Sequence, residues 1–398
     1  MEEKRIGSRG PMTERLYEKD SHRKEFEAAV VSCQEKRSKQ GEVTGYRIVL
    51  DRTAFFPEGG GQFGDTGWLN DVEVTDTKEK DGVIWHETGT PLEPGSTVKG
   101  RLNFEVRFDR MQQHSGEHIL SGLVHQLYGY DNVGFHLGET ITTLDFNGEL
   151  TKEQVEELEL RANRAVFENV PVQIVYPSRE QLKGIDYRSK IEIEGQVRIV
   201  SIPGYDICAC CAPHVDRTGE IGLIKIAGCE KHRGGCRMTI LCGGRALADY
   251  QRKQKSVTDV SVALSAKPEK IKEAVLHLKE QQGRLREQLN RIQERYLSDR
   301  LREISEDTKT VCIFEEELDT VAARNFINAA MERCTGICAA FIGNDVKGYH
   351  YILGSRTVDL RAFSGGLNAR FHGKGGGKPE MVQGSLTGTE EAIRAKLL

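Results

Sequence analysis

The chain has 398 residues, and at ~150 residues per domain this length implies two or three domains, enough to bury a substantial core. Lys plus Arg total 56 against 60 Asp plus Glu, a formal charge of −4, which excludes a globally basic nucleic-acid coat but not a basic stripe on one face. Hydrophobic residues make up 38% and charged residues 29%, as in a soluble protein, and no apolar run nears the ~18 residues of a membrane helix.

The opening MEEKRIGSRGPM lacks the apolar stretch of a secretory signal. Residues 1–12 are expected to be a disordered leader, with folding from Thr13. The ten cysteines then read as reduced thiols in a cytoplasmic protein. Cys208, Cys210, Cys211, Cys229, Cys236 and Cys242 crowd one stretch, which suggests metal before disulfide.

After a polar start, residues 45–50 alternate as a half-buried strand. A turn-rich loop follows at 55–68, containing Glu58-Gly59-Gly60-Gly61-Gln62-Phe63-Gly64-Asp65-Thr66-Gly67. Short strands at 72–74 and 83–85 complete a predicted small β-barrel or sandwich ending near residue 100. From Asp109, read as a helix cap, Met111, Ile119, Leu120, Leu123 and Val124 fall on one 3.6-residue face. Thr151 with Gln154 forms a capping-box pattern before a second helix. Strands are expected at 172–175, 197–200 and 222–226. Helices and strands without strict βαβ alternation argue for an α+β fold.

Residues 266–305 carry a heptad seam of Ile271, Val275, Leu278, Gln282, Leu285, Leu289, Ile292 and Tyr296, predicting a helical arm, a dimer seam or a spacer. The last segment mixes a strand at 311–314 and a helix at 322–333 with glycine runs at 364–366 and 373–377. The run ending in Lys378 is not a phosphate-binding loop, because Pro379 stands where a Ser or Thr is needed. The expected domains are therefore the leader 1–12, a glycine-motif β-barrel 13–100, a zinc-binding domain 101–245, a helical arm 246–306 and a glycine-rich domain 307–398.

His114 and His118, four apart on one predicted helix, present two imidazoles to one side. Cys210-Cys211-Ala212-Pro213-His214 adds a thiol and a third imidazole in a tight turn. Together they form the N/S donor set that zinc prefers. Cys208 and Cys211 compete with Cys210 for the ion. A closed four-donor site usually marks structural zinc, which leaves a non-catalytic binding protein open. His114-Ser115-Gly116-Glu117-His118 also fits the HxxEH pattern of inverted zinc peptidases with Glu117 as base, although that reading leaves the Cys210/His214 turn unexplained.

HxxxH on a helix, a later CxxxH and the upstream Glu-Gly-Gly-Gly-Gln-Phe-Gly-Asp-Thr-Gly resemble the editing domain of alanyl-tRNA synthetase, and most closely its freestanding AlaX-type relatives. The resemblance extends through Phe135-His136-Leu137-Gly138, Leu144-Asp145-Phe146, residues 197–199, residues 214–222 and Gly235-Cys236-Arg237. The final third is similar to the synthetase's C-terminal, DHH-associated domain, as in the long AlaX type. The turn departs from the family's usual Cys-Gly-Gly-Thr-His by losing two glycines, and no stretch resembles an aminoacylation core.

The resemblance implies hydrolysis, in trans and without ATP, of serine or glycine from tRNA for alanine, with one Zn2+ per chain on His114, His118, Cys210 and His214. It places His136 near the substrate. Gln62 and Thr66 are candidates to read the serine hydroxyl. Arg217 and Arg237 are candidate phosphate contacts near the acceptor end, and Lys374 and Lys378 elsewhere on the RNA. A homodimer through 266–305 or the C-terminal domain is a further expectation.

Overall fold

The computed structural model describes residues 13–189, 196–305 and 308–397. The expected leader 1–12 lies outside them. The chain divides into two units, Met1–Ser256 and Val257–Leu398. Among the described residues no helix is long and apolar enough to cross a membrane.

Six strands of the first unit form its barrel: β1 (Glu25–Arg37), β2 (Val43–Leu50), β3 (Gly67–Leu69), β4 (Val72–Lys80), β5 (Val83–Thr88) and β6 (Thr97–Leu102). They close into a barrel in the order β1-β2-β5-β4-β3-β6. Along β1, Phe26, Ala28 and Val30 point inward while Glu25, Glu27, Ala29 and Val31 point outward, the period-two pattern of a strand buried on one face. The apolar run Ala28–Val31 hides this alternation in the segment read as merely polar. Phe26, Ile48, Leu50, Phe55, Leu69, Val74, Val98 and Leu102 fill the interior.

His86 is fully buried in this barrel. Its Nδ1–H donates to the Ile48 carbonyl at 3.0 Å, and its Nε2 meets the Thr53 hydroxyl at 2.8 Å. Burial pushes the imidazole down to about 4, against the hydrogen bond to Ile48. The unfolded chain therefore binds the extra proton first, and stability falls as pH drops from about 6.5 to about 4, by roughly 3 kcal/mol in all. Urea unfolding midpoints across that window are expected to decline more steeply for wild type than for His86→Gln. Parallel slopes would remove His86 as the cause.

Helix α1 (Phe104–Tyr128) begins five residues before the expected cap. Asn103 occupies the N-cap position, and Gly129 ends the helix in the left-handed conformation. Asp109 lies inside the helix and binds Arg245, whose Nη2 is 2.6 Å from Oδ2. An acidic residue near a helix start looks like a cap from sequence alone, but here a distant arginine claims it. Met111, Ile119, Leu120 and Val124 anchor α1 in the second core, together with Leu144, Val166, Met238 and Ile240.

Strands β7 (Asn132–Leu137) and β8 (Thr142–Phe146) precede α2 (Lys152–Glu168), and Thr151 and Gln154 form the expected capping box. Strands β9 (Gln173–Val175), β10 (Ile199–Ile202) and β11 (Asp206–Ala209) make a three-stranded antiparallel sheet in chain order. Strands β12 (Ile224–His232) and β13 (Gly235–Cys242) join a four-stranded sheet ordered β12-β13-β8-β7. Helix α3 (Gly243–Ala263) follows, and the division between units falls within it.

In the second unit, α4 (Ile271–Arg302) holds the predicted seam, with Leu278, Leu285, Leu289 and Ile292 solvent-exposed. It is followed by β14 (Thr310–Glu315), α5 (Thr320–Ala330), β15 (Ile337–Asn344), β16 (Gly348–Gly354), α6 (Leu360–Arg370), β17 (Lys374–Lys378), β18 (Met381–Leu386) and α7 (Glu390–Leu397). The sheet runs β14-β15-β16-β18-β17. The first glycine run, at 364–366, lies inside α6, and the second forms the exposed edge strand β17, paired to β18.

Candidate metal centre

His114 and His118 sit one turn apart on the buried side of α1. Cys210 follows β11 directly, and His214 closes the turn after it. Arg198 shapes that turn: its Nη1 donates to the carbonyls of Cys210 at 2.7 Å and Ala212 at 3.0 Å. Ala212 packs against Tyr17, Phe56 and Ile84, so its methyl fills space that a glycine would leave open.

Donor atoms of His114, His118, Cys210 and His214 all lie within 4.8 Å of one another. Cys210 Sγ is 3.6 Å from His114 Nε2 and 3.4 Å from His214 Nε2. A zinc tetrahedron with Zn–S near 2.3 Å and Zn–N near 2.0 Å has an N···S edge of about 3.6 Å. The donor set and its spacing fit zinc.

Each histidine has its Nδ1 engaged elsewhere, which turns Nε2 to the centre. His114 Nδ1 donates to Gln62 Oε1 at 3.1 Å. His118 Nδ1 donates to Asp206 Oδ2 at 2.8 Å. His214 Nδ1 meets Ser115 Oγ at 3.0 Å. Partners of this kind orient metal-binding imidazoles and raise their basicity. Burial opposes charge on Cys210, but the adjoining His114 and His214 outweigh it and hold the thiol well below its usual range. Burial, reinforced by His118, pushes His214 down to about 3, keeping it neutral as a ligand must be.

Gln62 reaches His114 because of its loop. Gly60 and Gly61 take φ of 59° and 80°, values that cost other residues strain. A side chain on Gly61 would also strike the Phe135 ring at 2.8 Å. The Leu137 N–H donates to the Gly61 carbonyl at 3.2 Å, docking the loop on β7. Arg110 Nη1 holds the carbonyls of Phe63 at 3.2 Å and Gly64 at 2.8 Å. Gln62 is 1% exposed, and its Nε2 has no hydrogen-bond partner among the described residues.

Other candidates lie farther out. Strand alternation turns Phe135, not His136, toward His114, with ring centroids 4.9 Å apart. His136 instead meets the Phe63 ring edge-on at 6.4 Å. Thr66 offers its carbonyl to the Asn103 N–H at the start of α1. Arg237 is bidentate on Asp145, its cross-strand neighbour, with both contacts at 2.7 Å. Arg217 donates to the Asn169 carbonyl. Lys374 and Lys378 are exposed at the two ends of β17, in the second unit.

Cys208 groups with His118 and Asp206 rather than with the four donors, and Cys211 is exposed beside the glycine loop. Glu117 is buried, and its Oε1 accepts from Ser121 Oγ at 2.8 Å and Asn132 Nδ2 at 2.7 Å. Ser115, Asp206, Arg198 and Phe135 were given no role at the site by the sequence reading. Ser115, Phe135 and Arg198 stood within quoted motifs; Asp206 is brought in by the fold.

Residues 197–238 match the family model of the threonyl and alanyl tRNA synthetase second additional domain, and residues 3–106 that of class II (A) tRNA synthetases. The second match falls on a stretch whose described residues run through the barrel, where no likeness to a class II synthetase core was expected. Alanyl-tRNA editing protein AlaX-L of Pyrococcus horikoshii is 35% identical over 247 residues, 60% of each chain. An alanine–tRNA ligase of Halorubrum lacusprofundi is 33% identical over 271 residues, 65% of this chain and 29% of the ligase. Alanyl-tRNA editing protein Aarsd1 of Rattus norvegicus is 33% identical over 277 residues, covering 66% of this chain and 67% of that protein. By that likeness, this chain belongs to the alanyl-tRNA editing protein family.

Proposed function

We propose that the protein hydrolyses, in trans, the ester joining wrongly attached serine or glycine to tRNA for alanine, with one zinc ion on His114, His118, Cys210 and His214. The observation carrying this reading is the convergence of three oriented imidazoles and one thiolate-prone cysteine in a member of this family. Zinc held there by His114, His118, Cys210 and His214 would supply Lewis acidity towards the ester carbonyl and towards water. The Gln62 amide, buried and with its Nε2 unpartnered, is suited to donate to the substrate beside His114. Phe135 and the glycine loop form a wall that limits bulk around that position.

Selectivity follows from unpaired polar groups. A synthetase pocket built for alanine rejects serine only modestly, because one added hydroxyl costs little in an apolar site. An editing pocket that binds the hydroxyl reverses the preference, since alanine would leave a buried partner unsatisfied. Gln62 serves that purpose better than Thr66 or His136, which lie outside its contact with His114. Arg217 and Arg237, braced by Asn169 and Asp145, are proposed phosphate contacts for the acceptor end, with Lys374 and Lys378 meeting RNA elsewhere. Residues 307–398 are read as a DHH-associated domain, and the exposed seam of α4 supports a homodimer. The ten free cysteines suit the cytoplasm.

The closed four-donor set also favours a second reading, a tRNA-binding protein with structural zinc. The HxxEH peptidase reading is weaker, because Cys210 and His214 complete the donor set around His114 and His118 and the Glu117 carboxylate is engaged by Ser121 and Asn132. Release of serine, glycine and alanine from charged alanine-accepting tRNA separates the readings. Editing predicts fast release of serine or glycine with alanine spared. A zinc-replete protein that binds the tRNA and releases nothing would leave only the binding role.

A further inference from the structure

Among the three ligand histidines, two have neutral Nδ1 partners, the Gln62 amide and the Ser115 hydroxyl. His118 alone faces a carboxylate. That carboxylate is buried and held in turn: Arg188 Nε donates to Asp206 Oδ1 at 2.7 Å and its Nη2 to Oδ2 at 2.9 Å. Oδ2 therefore receives both the His118 Nδ1–H and an arginine N–H. The backbone of Arg188 is stitched beside β11, its N–H donating to Ile207 at 2.8 Å and its carbonyl accepting from Ala209 at 2.9 Å.

Gly122 makes this approach feasible. It lies one turn beyond His118 on α1, where a Cβ would fall 2.1 Å from the Tyr205 carbonyl oxygen and 2.8 Å from Asp206 Cβ. A mid-helix glycine is about 1 kcal/mol less favourable than alanine. Here its missing side chain admits the start of β11 against the helix and brings Asp206 within reach of His118.

We propose that Asp206, clamped by Arg188, is the positioning residue that fixes His118 for zinc and sets how strongly that imidazole donates. The proposal rests on the zinc reading of the four-donor site. An anionic partner on Nδ1 raises the basicity of Nε2 and holds the ring in one orientation, whereas a neutral partner does only the second. Arg188 keeps the carboxylate charged and prevents it from rotating away. Asp206 touches no substrate in this scheme and acts through His118.

The test is zinc affinity of the full chain, measured by competition with a chromophoric chelator and without tRNA. Asp206→Asn keeps the shape and an oxygen to accept from Nδ1 but removes the charge; it is expected to weaken zinc binding about 10–100-fold. With cobalt(II) replacing zinc, Asp206→Asn should retain the thiolate charge-transfer band from Cys210 while its ligand-field bands shift. Gly122→Ala, which forces Asp206 away, should also weaken zinc binding, although alanine is the better helix former. Zinc affinity within threefold of wild type and an unchanged cobalt spectrum in Asp206→Asn would overturn the proposal. So would loss of stability in apo Asp206→Asn with wild-type zinc affinity in the folded fraction. A wild type that binds zinc but releases no amino acid would sink the editing reading and leave this one standing.

Discussion

Arg107→Met is expected to cost about 3–5 kcal/mol of stability, the penalty for stranding a buried charge. Arg107 and Asp65 are 1% and 2% exposed. Arg107 Nε donates to Asp65 Oδ2 at 2.8 Å, and Nη2 is paired to the same oxygen. The guanidinium also donates to the carbonyls of Ala54 at 2.7 Å and Ser21 at 3.1 Å. Asp65 Oδ2 receives the Phe56 N–H at 2.7 Å as well. This one cation therefore joins α1 to both ends of the glycine loop and to the segment before β1. With methionine at 107, the carboxylate keeps the Phe56 N–H and the Arg110 guanidinium 3.9 Å from Oδ1 but loses its hydrogen-bonded counter-charge.

Pairing Arg107→Met with Asp65→Leu should recover part of the loss, because it removes the stranded charge but leaves the buried Phe56 N–H without its acceptor. Urea unfolding of the two single variants and the double variant measures this directly. A single-variant cost below about 1 kcal/mol would mean that water reaches the pair, contrary to its burial.

Cys210→Ala is expected to lose its zinc and to slow serine release by about 10²-fold or more, since metal polarisation contributes several kcal/mol to such reactions. Cys211→Ala should retain both metal and activity, because its thiol is exposed outside the four-donor cluster. Cys208→Ala should retain the metal, because Cys208 stands on the Asp206 side of His118. Zinc content by elemental analysis and timed serine release decide the matter. Full zinc occupancy in Cys210→Ala would transfer the thiol role to Cys208 or Cys211.

The four clustered side chains were legible as a candidate site because each half of it is local: His114 and His118 are one helical turn apart, and Cys210 and His214 share one turn. The capping box at Thr151 was legible for the same reason. What orients the donors was not, because those contacts span the sequence. Gln62 meets a histidine 52 positions later, and Asp206 meets one 88 positions earlier. Competition misled at Asp109, where Arg245 takes the carboxylate that a helix end would otherwise use. Nothing in the glycine-rich composition of 374–378 signals a strand, yet pairing to β18 makes it an edge strand.

The ligand turn belongs to two cores at once. Ala212 lies with Tyr17, Phe56 and Ile84, while Val215, three residues on, lies with Met111 and Leu144. Opening the barrel would therefore pull at His214, and saturating the centre with metal would hold the barrel shut. By mass action, zinc at a hundred times its dissociation constant adds about 2.7 kcal/mol to whatever unfolds together with the site. The melting of His86's surroundings, with no metal ligand among them, becomes a thermometer for metal occupancy.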